Sequence, residues 1–192
     1  MRLLALTFCV FIVFWGSPTF AEGDCKKNSF ITKDILQCVN IAYKKIDKKL
    51  NEQYSAMVAE PKFLHRNLLL DGERAWIRYR DVHCENIYDA ILPGEEAGIE
   101  RIACLASLTS SRLVELLYLD TGISGDGFYS SLSIMSRVSS MTREEIFSHI
   151  ENLEKTLEET DYYKKNCELT DAIHAEDEKT CRIRMKFQAM KV

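Results

Sequence analysis

The stretch from Glu73 to Cys84, ERAWIRYRDVHC, gathers three arginines, two acids, a histidine and a cysteine around Trp76 and Tyr79. Such a mixture could ligate a metal, activate a nucleophile or brace a scaffold. A zinc site on one helix face wants two histidines four residues apart, and none of His65, His83, His149 and His174 has that spacing or forms H-E-x-x-H. His83 and Cys84 are adjacent, so on a helix they point about 100° apart. No G-x-S-x-G elbow presents a serine nucleophile. The 29 carboxylates contain many conceivable acid pairs, but solvated helix faces with i to i+4 charge pairs account for nearly all of them.

A second candidate is DTGISGDGFYSS, Asp120 to Ser131, in which Asp120, Ser124, Gly125 and Asp126 fall on positions 1, 5, 6 and 7 of a calcium loop. Position 3 is Gly122, and position 12 is Ser131 where a bidentate glutamate belongs, so the ion would be poorly held. The segment reads as an exposed loop. No catalytic, metal-binding or cofactor-binding residue is expected, and no cofactor.

The compartment decides what the cysteines do. Met1 and Arg2 precede an apolar run, LLALTFCVFIVFW, which ends at Gly16-Ser17-Pro18 and reaches small residues suited to cleavage after Ala21. Residues 1–21 therefore read as a cleaved secretory signal peptide, too short in its apolar core to span a bilayer. No later stretch reads as membrane-spanning, and no lipid or other membrane anchor is expected. Of seven cysteines, Cys9 leaves with the leader; Cys25, Cys38, Cys84, Cys104, Cys167 and Cys181 remain. An even count in an oxidising periplasm implies three disulfides. The sequential couples, 13, 20 and 14 positions apart, favour neighbour pairing without excluding other connectivities. Loops of that size each stabilise by roughly 3 kcal/mol on the loop-entropy account. With Arg2 removed, 24 basic residues face 29 acidic ones. That mild acidity argues against nucleic acid, whose affinity comes from cations neutralising phosphates, and suits a basic protein partner.

The elements that must position these residues read as helices, since glycine and proline are scarce and apolar residues recur at helical spacing. Thr32 can cap a first helix carrying Ile35, Val39, Ala42, Ile46, Leu50 and Met57, stopping near Pro61. A second runs from there through Leu64, Leu68, Ala75, Trp76, Tyr79 and Ile87 to Pro93-Gly94, with Gly72 as its weak point. A third carries Ile99, Ala103, Leu105, Leu113, Leu116 and Leu117. Residues 121–140, rich in glycine and serine, read as a linker or loop, although Leu132, Met135 and Val138 could form one short amphipathic helix within it. Thr142 with Glu145 is a capping box, and Met141 with Ile146 a hydrophobic staple, so a fourth helix starts there and runs to about Lys165. CRIRMKF, from Cys181, alternates as a short strand would. The expected architecture is all-α: a disulfide-stapled helical bundle over 22–120 and a C-terminal helical extension over 141–192.

From Cys25 to about Leu117 the chain resembles the LprI-like family, a small exported helical module whose name comes from a lysozyme inhibitor. The residues that carry the resemblance are Asp47, Leu50-Asn51, Tyr54, the WIRYRDVHC segment with Trp76, Arg80, Asp81 and Cys84, and CLASLTSSR with Cys104, Thr109 and Arg112. The pattern departs in one place: the family's usual glutamine before the tryptophan is Glu73 here. Everything from Met141 onward lies outside the resemblance. Within it, Trp76 and Tyr79 are expected to point inward and Cys84 to reach Cys104. Arg80 or Asp81 should pair with a neighbouring helix, Arg112 being the candidate mate of Asp81, so that Asp81→Ala should damage folding.

The resemblance implies an inhibitor of an exported or injected cell-wall-degrading enzyme, either a lysozyme inhibitor or an immunity protein against a delivered toxin. A non-inhibitory envelope binding module is the alternative. The resemblance names no inhibitory residues. An exposed loop that plugs a cleft is expected within 120–131, with Phe128 and Tyr129 as anchors and Asp120 and Asp126 as acidic contacts; the competing reading has both aromatic rings pin the segment to the bundle.

Overall fold

The computed structural model describes residues 29–124, 127–153 and 155–190, and the secondary structure among them is helical, with no strand. The signal peptide, Cys25 and Asp126 lie outside the described residues. The helices are α1 (Thr32–Ala59), α2 (Arg66–Ile91), α3 (Ala97–Thr121), α4 (Phe128–Ser139), α5 (Arg143–Glu151), α6 (Leu157–His174) and α7 (Glu178–Met190).

The first three helices follow the apolar spacing closely, with local differences. Ile31, not Thr32, occupies the N-cap position of α1, and no side chain caps it; the Thr32 hydroxyl donates to Glu95 at 3.4 Å instead. α1 ends at Ala59, just before Pro61, whose ring disfavours helical backbone in the residue preceding it. α2 begins only at Arg66, which leaves Leu64 ahead of the helix and 85% exposed. Gly72 does not interrupt α2; it lies buried where the helix passes Arg112 and Asn166. α3 ends at Gly122, whose left-handed φ of 72° is open to glycine without a Cβ penalty.

α1 runs parallel to α3, with Leu36 beside Gly98 and Gln53 bonded to Asp120, while α2 returns antiparallel and is joined by the Cys84–Cys104 disulfide. α6 lies on α2, and α7 packs against α6, α5 and α3. α3 is by length and composition apolar enough to cross a membrane, contrary to the sequence reading. Its position explains this: it is the helix against which α1, α2, α6 and α7 all pack, and it supplies Leu105, Leu108, Leu116 and Leu119 to the core.

The C-terminal half differs most from the sequence reading. The single helix expected from Thr142 to Lys165 is two, because α5 ends at Glu151 and a second threonine, Thr156, caps α6 by accepting from the Glu159 amide at 3.1 Å. The capping box at Thr142 and Glu145 forms as its spacing requires. The expected strand at CRIRMKF is part of α7. On a helix, residues two apart lie on nearly opposite sides. Cys181 and Met185 face the main core, whereas Ile183 and Phe187 face a second cluster with Phe128, Leu132, Ile146, Phe147 and Ile150. Alternation arises here because both sides of one helix are buried.

α4 is the short amphipathic helix that the 121–140 segment admits: Leu132 is buried and Met135 half-buried, but Val138 is 81% exposed. Phe128 has no exposed surface and stacks near Phe147 and Phe187. Phe128→Ala should therefore destabilise the protein by about 3–5 kcal/mol in urea unfolding. Val138→Ala should shift it by less than about 0.5 kcal/mol.

Candidate functional site

In ERAWIRYRDVHC Glu73 joins a buried ion pair while Arg74, Arg78 and Asp81 are exposed, and the pairings differ from those expected. Arg112 is completely buried and donates from Nε to Glu73 at 2.9 Å, so its carboxylate partner is not Asp81. Its Nη1 donates to the Asn166 side-chain oxygen at 2.6 Å. Asn166 in turn donates to Glu115 at 2.7 Å, and the fork of Arg184 grips both oxygens of Glu115. Glu176 closes the chain by accepting from Arg184 Nη2 at 2.9 Å, and the Arg184 guanidinium lies 4.2 Å from the Tyr118 ring. Five helical or loop segments thus meet in one buried polar network running from α2 through α3 and α6 to α7.

Burial alone would push the Glu115 carboxyl up, but the charge and hydrogen bonds of Arg184, the Asn166 amide and the Arg112 charge together hold it below the usual carboxylate range. Burial likewise works against the Arg112 charge, and Tyr162, Glu73 and Glu115 overcome it. Tyr162, beside Arg112, has its phenol raised to about 12, chiefly by burial. Both arginines and Glu115 are therefore ionised at neutral pH.

Asp81 sits elsewhere. It is 55% exposed in its side chain and pairs with the adjacent Arg80 at 2.7 Å, while Arg80 lies over the Trp76 ring at 4.7 Å. Trp76 is buried beside Tyr79, as the apolar spacing demands. Asn51 donates to the Asp47 backbone oxygen at 2.8 Å and its carboxylate at 3.2 Å, Tyr54 is half-buried, and Thr109 is wholly buried. The signature residues accordingly divide into core (Trp76, Thr109, Arg112) and a polar surface (Asp47, Asn51, Arg80, Asp81).

That polar surface borders a groove of ≈ 520 Å³ between α1 and α2, floored by α3 and lined by Tyr43, Arg80, Asp81, Glu85, Arg101 and Leu105. Its charges hold one another: Arg80 with Asp81, and Arg101 Nε donating to Glu85 at 2.7 Å. The Tyr43 phenol is raised, first by burial and against the pull of Arg80, so it stays a protonated donor. On the opposite side a cleft of ≈ 550 Å³ is lined by Tyr79, His83, Lys155, Thr156, Glu159 and Lys186. There Thr156 caps α6, and Glu159 accepts from Lys186 and Tyr163, both at 2.8 Å. Neither hollow sets a nucleophile against a base, and among the described residues no three His, Cys, Asp or Glu side chains cluster as metal ligands would.

Of the described loop residues expected to meet a partner, Asp120 is engaged apart from Phe128 and Tyr129, whose rings touch each other. Asp120 accepts from Gln53 at 2.9 Å on the α1 side, Phe128 belongs to the second core, and Tyr129, half exposed, stacks edge-on against Phe128. Phe128 thus pins α4 to the bundle and has no surface to offer a partner. Cys84–Cys104 and Cys167–Cys181 are bonded, and Cys38 is also in a disulfide. Sequence reasoning missed the exposed apolar residues where α2 turns into α3 and where α1 begins, namely Leu92, Phe30 and Ile31. The signal was Leu92 ahead of Pro93-Gly94 with Glu95 and Glu96 following, and the adjacent pair Phe30-Ile31 just ahead of the first helix.

Arg184→Ala should cost about 3–5 kcal/mol in chemical unfolding, because it leaves Glu115 buried without its main partner. Asp81→Ala should cost no more than about 1 kcal/mol, the range of exposed pairs, rather than abolish folding. The depressed Glu115 carboxyl contributes stability that is fully present above the unfolded carboxylate value, about 4.3, and is lost as pH falls through the lower folded value. Unfolding midpoints measured from pH 6 down to pH 2.5 should fall, with a shallower slope in Glu115→Gln.

Comparison with known proteins accords with this placement of the signature. The family described as lysozyme inhibitor LprI matches residues 25–116. An uncharacterized protein of Rhizobium meliloti (strain 1021) is 31% identical over 108 residues, covering 50% of this chain and 77% of that protein. No solved structure matches. With the disulfide, tryptophan, arginine and threonine of the motif all set in one three-helix scaffold, the chain belongs to the lysozyme inhibitor LprI family.

Proposed function

We propose that this chain is an exported inhibitor that binds and blocks a peptidoglycan-cutting enzyme of the lysozyme type. The family match over residues 25–116 carries this reading. Three physical properties support it. The scaffold is cross-braced by disulfides and a buried ionic network, so little conformational freedom is lost on docking. The chain carries a formal net charge of -4, complementary to lysozymes, which tend to be basic, and such complementarity raises association rates and discriminates among partners. In the groove between α1 and α2, Arg80 pairs with Asp81 and Arg101 with Glu85, a fixed charge pattern that a partner can match.

The apolar leader and the paired cysteines favour the periplasm as the place of action. The enzyme's source has two versions: a host lysozyme, or a rival bacterium's delivered toxin, in which case the chain is an immunity protein. The helices outside the matched region, α4 to α7, favour a dedicated partner, since they add surface that the family match does not include.

The test is a turbidity assay of cell-wall lysis with purified protein against chicken-, goose- and invertebrate-type lysozymes and against cell-wall toxins of competing bacteria. Inhibition of at least one enzyme with a Kd of about 10⁻⁷ M or tighter is expected, in the range of inhibitor complexes of ordinary size. Undiminished lysis by every enzyme in the panel would reject the reading. Inhibition restricted to a toxin, with all lysozymes untouched, would assign the immunity version.

A further inference from the structure

We propose that the inhibitory surface is the end of the bundle where α2 turns into α3 beside the first turn of α1, and that it docks by an apolar tip onto a protein with a cationic face. This rests on the inhibitor reading above and adds where contact is made and with what chemistry.

Three large apolar side chains are presented at this end. Phe30 is 97% exposed, Ile31 is 64% exposed and Leu92 is 48% exposed. The two segments lie together, since the Thr32 hydroxyl donates to Glu95 across them at 3.4 Å and Leu36 packs beside Gly98. Isolated exposed apolar residues are ordinary on any surface, but a group of them at one end of a molecule marks an interaction site.

What surrounds the tip selects the occupant. Glu85, Asp89, Glu95, Glu96 and Glu100 ring it, all exposed. Lys33 and Arg101 are the cations among the described residues of this end, and Arg101 is engaged with Glu85. The other end is mixed: Lys44, Lys45, Lys48, Lys49, Lys62 and Arg66 lie among Asp47, Glu52 and Glu60, and Glu52 is paired with Lys48 and Lys49. The acidic excess is thus a property of the tip. An apolar centre with an acidic rim meets a basic protein without leaving buried carboxylates unpaired, and the rim steers the encounter.

The tip is also held in shape. Gly94 donates its amide to the Ile91 oxygen at 2.9 Å, and Ala97 donates to the Gly94 oxygen at 3.2 Å. A Cβ at Gly94 would stand 2.9 Å from that Ile91 oxygen, so the turn is closed too tightly for any other residue without a shift. Ser29 donates to Asp34 at 2.8 Å and accepts from the Ile31 amide at 3.2 Å, which fixes the Phe30–Ile31 segment on α1. Every residue invoked lies within the part of the chain that matches the family, whereas α6 and α7 cover other faces of α2 and α3. A surface used by the family is one that the C-terminal helices leave open.

The experiment measures binding and inhibition separately, with chicken-, goose- and invertebrate-type lysozymes immobilised as basic probes. Three proteins are compared: wild type; the tip variant Leu92→Asp with Glu95→Lys and Glu96→Lys; and the control Ile134→Asp with Val138→Asp on the exposed face of α4. All substituted side chains are exposed, and far-ultraviolet circular dichroism with thermal melts checks that each protein folds. The tip variant should bind about 30-fold more weakly or worse, as loss of an interface anchor does. Its association rate should lose most of its salt dependence. The control should bind like wild type. If wild type binds and inhibits but the tip variant matches it, the surface is wrong and the inhibitor reading stands. If the tip variant loses binding to an enzyme that wild type binds without inhibiting, the surface is right and the inhibitor reading falls. Wild type that binds no basic lysozyme overturns the surface proposal outright.

Discussion

The grip of Arg184 on Glu115 is the interaction on which the rest of the structure depends. Both side chains are fully buried, one on the last helix and one on the central helix, and they are held as a bidentate fork. A guanidinium and a carboxylate withdrawn from water each lose several kcal/mol of hydration, which their attraction offsets only when the remaining donors and acceptors are matched. For this pair they are: Glu176 takes a further Arg184 donor and Asn166 bonds Glu115, while the same amide accepts from Arg112, whose Nη2 is left without a partner among the described residues. Matching of that kind tolerates no slip. If α7 moved by one residue, Arg184 would rotate by about 100° and leave the carboxylate unpaired. The network therefore sets the register of α6 and α7 on α2 and α3, whereas the surrounding leucines and tyrosines supply most of the burial.

A second consequence concerns the break between α5 and α6. Helix α5 belongs to the cluster around Phe128 and Phe147, but α6 must lie along α2 to bring Tyr162, Tyr163 and Asn166 into the main core. One continuous helix could not serve both. Helix α5 stops at Glu151, and Thr156 supplies the hydroxyl that starts α6. α7 then spans the two clusters, with Met185 in one and Phe187 in the other. The Cys167–Cys181 disulfide ties α6 to α7 where this happens, next to Thr170 and Met185.

How much of this was legible in the sequence follows from the range of each signal. Some local signals were read well: the capping box at Thr142 is present and Cys84 is bonded to Cys104, whereas Thr32 does not cap α1. The T-x-x-E of Thr156 and Glu159 repeats the Thr142 pattern and was equally available, yet the apolar spacing on both sides of it looked continuous. Its glutamate, moreover, turns toward Tyr163 and Lys186 instead of back to the cap. CRIRMKF misled because period two is a strand signal only when one side of the segment is solvated. Pairings between distant helices were not legible. Arg112 could meet Asp81 or Glu73 on the same helix, which stand about 12 Å apart along the axis and about 80° around it, so the axial position and the rotation of α2 decide together. That rotation is fixed by where Trp76 and Tyr79 are buried.

Glu73 shows why the two halves of the chain are physically one unit. It stands where the family pattern has glutamine, and it gives Arg112 a full carboxylate at 12% side-chain exposure. Arg112 then has a charge partner within the matched region, but its second hydrogen-bond partner, Asn166, comes from α6. Glu115 goes further: the Arg184 and Asn166 that stabilise its charge both lie beyond residue 116. The matched helices thus place an anionic side chain in the C-terminal half of α3, near Arg112, and its direct hydrogen-bond partners come from the C-terminal helices. Of the residues that looked most reactive in the linear sequence, Glu73 is consumed in building this joint and Cys84 in the disulfide to Cys104. The groove between α1 and α2 and the turn at Leu92 lie outside this joint, on the part of the chain that matches the family.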